Sequence, residues 1–139
     1  MSGKIKTYNP KEVIVSAGPH IVTGYADDSF ITIEANGDGI TKKVGCDGEI
    51  ARAVSPDNTF KVKIALLQTS ESNSYFSQKV DQDRDTGDGM FPLLIKDLKG
   101  GLLFSTEAAW CTKKAAVTRG KETNNREWEI ETGDATMDE

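Results

Sequence analysis

Hydrophobic and polar residues alternate with a period of two along most of the chain, and Gly, Asn and Asp interrupt the alternation at short intervals. This pattern is typical of short strands joined by turns, so the chain is predicted to be mainly β. The run from Phe60 to Leu67 is the clearest case. Its apolar residues fall on one face of a strand, and Lys61 and Lys63 fall on the other.

Two hairpins are predicted in the first third of the chain. Residues 12–23 contain two β-branched runs separated by a Gly-Pro turn. Residues 30–44 contain two alternating runs around a segment rich in residue types that tolerate positive φ. That second turn consists of Asn36, Gly37, Asp38 and Gly39.

Further strands are predicted at residues 49–54, 91–97, 102–106, 109–116 and 126–131. One short helix interrupts them: Ser70 can cap a segment in which Tyr75, Phe76 and Val80 have helical spacing. The helix is predicted to end near Asp83, with a loop over residues 81–89. Pro92 is expected at the start of its strand or on a sheet edge.

Length and composition limit the architecture. The chain has 139 residues and a mass of 15.1 kDa, which suits a single domain over residues 1–139 with an acidic, loose tail at 133–139. No apolar run approaches the roughly 18 residues of a membrane span, and no signal peptide is visible at the N-terminus. We therefore expect a chain that is not a membrane protein and stays where it is made. Cys46 and Cys111 are expected to be reduced thiols.

The charge balance excludes several classes of function. A net charge of -5 argues against a nucleic-acid binder, because affinity for phosphates comes from clustered Lys and Arg. The chain has a single histidine, His20, and therefore few side chains that exchange protons near neutral pH without a shifted pKa. We expect no enzymatic activity, no catalytic residues and no cofactor.

One acidic segment resembles the start of a calcium loop. Carboxylates stand at positions 1, 3 and 5 of such a loop, at Asp81, Asp83 and Asp85. The required glycine is replaced by Thr86 and the required glutamate by Pro92. A solvated loop without metal is therefore predicted.

The remaining chemically notable side chains are expected to be structural. His20 has no neighbouring metal ligand in the sequence, and Cys111 follows Trp110 in a predicted strand. Trp110 and Trp128 could form a carbohydrate platform only if both were exposed and close together, so core packing is the preferred interpretation. A monomeric β-sandwich that binds calcium or carbohydrate remains an alternative.

Six blocks in the chain carry a family resemblance. They are Tyr-Asn-Pro-Lys at 8–11, Gly-Tyr-Ala-Asp at 24–27 with Phe-Ile-Thr-Ile-Glu at 30–34, Val-Gly-Cys-Asp-Gly-Glu at 44–49, residues 66–70 with 72–73, residues 91–97, and Asn-Arg-Glu-Trp at 125–128. In this order the blocks resemble the short tail tube proteins of contractile-tailed bacteriophages. The chain departs from that pattern at Cys46, where a small residue such as alanine is expected, and in the tail beyond Thr132.

The resemblance implies a β-barrel or sandwich with one short flanking α-helix. Six copies would form a ring, the inner strands would join in one barrel, and the rings would stack into the inner tail tube that conducts genome DNA inside a contractile sheath. The implied partners are further copies of the chain, the tail sheath, the baseplate hub or initiator and the tail terminator. The tape measure protein and DNA would pass through without specific binding. The implied location is the virion tail, after assembly in the bacterial host cytoplasm.

Related machines give a second interpretation, because the tube of a contractile bacteriocin or of a type VI secretion apparatus would share this architecture. Pairing of sheet edges between subunits of a ring also has a physical rationale, since it removes free edges that would otherwise cause aggregation.

Three groups of candidate site residues follow. Strand alternation suggests that a channel would be faced by Thr32, Glu34, Lys61 and Lys63. Contacts between rings are expected at Asn36, Gly37, Asp38 and Gly39. Contacts with a neighbouring subunit or the sheath are expected at Asp81, Asp83 and Asp85.

Overall fold

The structure, a computed structural model, describes residues 5–139. The first residues used to judge the absence of a signal peptide, Met1 to Lys4, lie outside the described residues. A 3-10 turn at Pro10–Glu12 precedes the first strand. The elements are β1 Val13–Ala17, β2 His20–Ile21, β3 Ile31–Ala35, β4 Ile40–Val44, β5 Ile50–Val54, β6 Phe60–Leu67, α1 Ser72–Thr86, β7 Phe91–Asp97, β8 Leu102–Cys111, β9 Asn125–Thr132 and β10 Ala135–Asp138. The predicted mainly β fold with one helix is confirmed.

Eight strands form one antiparallel sheet in the order β2-β1-β7-β8-β9-β6-β3, with β10 paired to β8. Strands β2 and β3 are therefore the two edge strands of this order. Strands β4 and β5 pair only with each other, as a separate two-stranded sheet. The predicted first hairpin is confirmed, because Ser16 pairs with Ile21 across the Gly-Pro turn.

The core lies on one face of the large sheet, and α1 covers it. In β6 the predicted apolar face is confirmed, with Val62, Ile64 and Leu66 fully buried. Phe76 and Val80 dock the helix, and the Phe76 ring lies 5.5 Å from that of Trp128 in β9. Among residues 5–139, no helix combines the length and hydropathy of a membrane span.

The predicted hairpin over residues 30–44 is wrong. Strand β3 pairs with β6, with Ile31 opposite Ile64, whereas β4 pairs with β5, with Ile40 opposite Val54. The segment between β3 and β4 redirects the chain instead of reversing it. This arrangement lets Ile31 and Ile33 pack against the core, which a local β3–β4 hairpin would not achieve.

The helix is longer than predicted. It continues to Thr86 and ends at Gly87, whose φ of 73° is the left-handed conformation that favours glycine. The Gly87 N–H donates to the Asp83 carbonyl at 2.9 Å. Asp81, Asp83 and Asp85 therefore lie on a helix and not in a loop. The last turns of this helix are polar, and the glycine C-cap, not a change in the apolar pattern, marks its end.

Two further expectations at the C-terminal end are corrected. The predicted strands at 102–106 and 109–116 are replaced by one strand, β8, which has an irregular register near Thr106 and ends at Cys111, so residues 112–116 are not strand. The Thr106 hydroxyl donates to the carbonyls of Ala108 and Asp134, which stabilises this bend. The tail at 133–139 is not loose, because β10 pairs with β8 through four residue pairs from Ala135 to Asp138.

The two cysteines differ in environment and should differ in reactivity. Cys111 is buried, and burial raises its pKa to about 12, whereas Cys46 is exposed. We expect a thiol reagent to label one cysteine in the folded chain and the second only after unfolding. A Cys46→Ala variant should lose the rapid labelling. Equal labelling rates in the folded chain would contradict the burial of Cys111.

Candidate assembly surfaces

The four channel-facing candidates lie together on one face of the large sheet. In the β3–β6 register Thr32 stands opposite Lys63, and Glu34 stands opposite Lys61. Cross-strand partners share a face, and the buried residues of β6 point to the other side. We name this surface the polar face.

Strand β9 adds three carboxylates to the polar face, at Glu127, Glu129 and Glu131. The Lys61 amine lies 3.1 Å from a carboxylate oxygen of Glu129 and 3.9 Å from one of Glu131. Hydrogen bonding to Glu129 raises the pKa of Lys61. These glutamates were not among the predicted channel-facing residues, although their alternation with Trp128 and Ile130 is a signal that identifies them.

The polar face and α1 lie on opposite sides of the sheet. Trp128 points toward the helix, and its neighbours Glu127 and Glu129 must point away because side chains alternate along a strand. Over β3, β6 and β9 one side of the sheet is thus charged strand surface, and the other side faces the core and the helix.

The β4–β5 hairpin projects from this body. All ten of its strand residues are exposed, including Ile40, Val44, Ile50 and Val54, which retain 62%, 56%, 65% and 69% of their accessible surface. The tip is a tight turn in which the Gly48 N–H donates to the Gly45 carbonyl at 2.9 Å. Isolated two-stranded ribbons with unburied apolar residues are marginal in water. This hairpin is therefore a candidate contact element.

The predicted inter-ring residues lie at the base of this hairpin and not at its tip. The Asn36 N–H donates to the Thr59 carbonyl at 3.0 Å, and its side-chain amide donates to a Glu131 carboxylate oxygen at 3.0 Å. The Ser55 N–H donates to the Gly39 carbonyl at 2.8 Å. Asn36, Gly37, Asp38 and Gly39 thus belong to the stem that sets the direction of the hairpin.

The helical carboxylates do not converge. Asp81, Asp83 and Asp85 are spaced by two residues, which places successive side chains on different sides of α1. Asp81 forms an ion pair with Lys114 at 2.9 Å. The geometry of a calcium loop is therefore not formed by these three residues.

Buried polar contacts fix α1 to the sheet. The Trp128 indole N–H donates to the Asn73 amide oxygen at 2.9 Å, and Trp128 is fully buried, so it cannot serve as an exposed carbohydrate platform with Trp110. His20 Nε2 lies 2.8 Å from the Ser72 hydroxyl, within hydrogen-bonding distance. These partners are separated by 55 and 52 residues, and no local sequence signal identifies them.

Comparison with known proteins places this geometry in context. No protein-family model matches the chain. The chain is 31% identical over 148 residues to Structural protein ORF10 of Pseudomonas phage KPP10, an alignment that covers 99% of this chain and 84% of that relative.

Solved structures share the fold at low sequence identity. The sheath–tube complex of the extracellular contractile injection system PVC, in the extended state, matches with a TM-score of 0.66 and 8% identity, over 95% of this chain and 91% of that chain. The tube-terminating cap of the anti-feeding prophage matches with a TM-score of 0.61 and 7% identity, over 99% and 95%. The PVC sheath/tube terminator matches with a TM-score of 0.62 and 9% identity, over 99% and 100%. The chain belongs to the family of phage structural proteins that includes ORF10, and it has the fold seen in the tube and terminator structures of contractile injection systems.

Proposed function

We propose that six copies of this chain form a ring, and that the rings stack into the inner tail tube that conducts genome DNA inside a contractile sheath. The observation that carries the proposal is the two-sided sheet, with a charged strand face on one side, a helix on the other and an open edge at each end. Such a unit can line a channel and present its helix outward.

The open edges supply a route to ring closure. Strands β2 and β3 end the sheet, and unpaired backbone N–H and C=O groups at an edge favour pairing with another chain. A head-to-tail contact closes into a ring when its rotation divides the circle, and a second, axial contact then stacks the rings. In this arrangement Thr32, Glu34, Lys61 and Lys63 face the channel.

The charge of the polar face suits a conduit for DNA. Two lysines stand among four glutamates, at Glu34, Glu127, Glu129 and Glu131, which gives a net charge of -2 per copy. Six copies would carry about -12 per ring, and the Lys61 amine is already paired with Glu129. Such a wall offers no continuous cationic track for a phosphate backbone, so DNA and the tape measure protein can pass without retention.

The remaining surfaces define the other partners. The helix side, including Asp81, Asp83 and Asp85, is proposed to contact a neighbouring subunit or the sheath. The ends of the tube would meet the baseplate initiator and the tail terminator. The protein would act in the virion tail after assembly in the host cytoplasm, as a structural component and not as an enzyme.

A second candidate function is the tube of a contractile injection apparatus that carries no genome. The similarity in fold to the PVC sheath–tube complex favours it. Mass spectrometry and DNA quantification of purified native particles would separate the two, because a phage tube occurs in particles with a DNA-filled head.

Electron microscopy of the purified protein at high concentration tests the proposal. Hollow cylinders of uniform diameter, or rings with six-fold symmetry, are expected. Uniformly monomeric particles across a range of salt and protein concentrations would contradict it.

The stem glycines allow a sharper test of the axial contact. Gly39 has a φ of 70°, which strains any residue with a Cβ, and a Cβ on Gly37 would lie 2.6 Å from the Asp57 carbonyl oxygen. We expect Gly37→Val and Gly39→Val to misdirect the hairpin and reduce tube length, while the large sheet stays folded. Gly120→Val is the control, because a Cβ there meets only an amide nitrogen at 3.7 Å. Tubes of normal length in both stem variants would exclude the stem from the contact.

A further inference from the structure

The projecting hairpin carries an ordered pattern on one side. Its register pairs residues directly across the two strands, and cross-strand partners point to the same face. Along that face an apolar pair is followed by a cationic pair and a second apolar pair: Ile40 with Val54, Lys42 with Arg52, and Val44 with Ile50. We name these six residues the hairpin face.

The hairpin face is unfavourable when left alone in water. Lys42 and Arg52 stand directly opposite each other, and like charges in that position repel. The four apolar side chains on either side of them are more than half exposed. A surface that sets carboxylates among apolar residues would neutralise the two repelling cations and would bury the four apolar side chains.

A groove with that composition lies elsewhere on the same chain. It has a volume of about 710 Å³ and is bordered by β3, β7 and the C-terminal strand, with Ile31, Ile33 and Met137 among its apolar lining. Four acidic residues also line it: Asp27, Asp28, Asp97 and Glu139. We name it the acidic groove.

The carboxylates of the acidic groove have no cationic partner among residues 5–139. The ion pairs of that part of the chain involve only Glu129, Glu131 and Asp81 as acids. The hairpin of the same copy also leaves the groove's charges unmatched, since its own strand residues are all exposed. Residues 5–139 of the same copy therefore do not supply the complementary surface.

We propose that the acidic groove receives the hairpin face of a second copy of this chain. This inference rests on the proposed function, because the tube supplies the second copy. Lys42 and Arg52 would meet the groove's carboxylates, and the flanking apolar pairs would cover its apolar lining. The contact is head-to-tail, so each copy gives one hairpin and receives another, and the contact can propagate along the tube.

Charge exchange tests the docking. Lys42→Glu with Arg52→Glu reverses the hairpin from +2 to -2, and Asp27→Lys with Asp28→Lys takes the four acidic positions of the groove from -4 to neutral. Each double variant should form at least tenfold less sedimentable tube than the unmodified protein at the same concentration. The chain with all four substitutions should recover assembly in part, because opposite charges again face each other at the substituted positions. Lys113→Glu with Lys121→Glu changes the net charge as the hairpin variant does, at exposed positions outside both surfaces, and should assemble normally.

A mixing experiment makes the test independent of the four-substitution chain. The two double variants, each impaired in assembly alone, should form tubes when mixed, since the acidic hairpin of one meets the cations introduced at positions 27 and 28 in the groove of the other, and the unmodified hairpin of the second meets the unmodified groove of the first. Failure of the unmodified protein to form tubes would overturn the proposed function itself. Normal assembly of both double variants, or failure of both the mixture and the four-substitution chain while the unmodified protein assembles, would overturn only the docking.

Discussion

Replacing Asn73 with alanine is expected to destabilise the folded chain by about 2–4 kcal/mol, the largest loss we expect from a single polar substitution. The Asn73 amide donates to the carbonyls of Leu67 and Gln68 at 2.9 and 3.3 Å and accepts from the Trp128 indole at 2.9 Å. Alanine would leave the buried indole N–H and the Leu67 carbonyl without partners. Thermal unfolding by circular dichroism should show a fall in Tm of roughly 10 °C.

Asn58 gives a matched control for this prediction. It is exposed, and replacing it with alanine should change the free energy of unfolding by less than about 0.5 kcal/mol. A similar Tm for the two variants would show that the Asn73 bridge between α1 and β9 does not hold the helix in place.

Reversing the charge of the polar face is expected to produce the largest functional effect. Glu34→Lys alone brings the face from -2 to neutral, and Glu34→Lys with Glu127→Lys brings it to +2 per copy. Both positions are exposed, so folding and assembly should be largely preserved. The double variant should retain DNA inside the tube, and phage particles that carry it should eject their genome more slowly than those with Glu34→Lys.

The measurement combines ejection kinetics with particle yield. Glu122→Lys with Asp134→Lys makes the same change in net charge at exposed positions outside the polar face and should leave ejection unchanged. Retention by the double variant should weaken as salt rises, because it depends on phosphate contacts. Normal ejection at normal yield would show that the polar face does not line the channel, and a collapse in yield would indicate a role between subunits.

Local patterns predicted those elements whose burial alternates along the chain. The bounds of β6 and β7 agree with the sequence because three or more alternate residues on one face of each strand are apolar and turn residues follow. The extent of α1 was underestimated because its last turns are polar and carry Asp81, Asp83 and Asp85, residue types common in loops.

Pairing between distant strands was not predictable from local signals. The Asn36-to-Gly39 segment has the composition of a hairpin turn, yet β3 gains more by packing its isoleucines beside β6. The same limit applies to the site. Alternation placed Thr32, Glu34, Lys61 and Lys63 on a common surface, but only the β6–β9 register brings Glu129 to Lys61.

The strand order also determines when the nascent chain can fold. β1 must wait for β7, with Val15 pairing Ile95, and β6 must wait for β9, with Ile64 pairing Trp128. Closing such long loops slows folding and leaves apolar strands uncovered while synthesis continues. The β4–β5 hairpin has only local partners and can form as soon as it emerges. We therefore expect the core to consolidate only after β9 leaves the ribosome, which makes truncated chains prone to aggregation and dependent on chaperones.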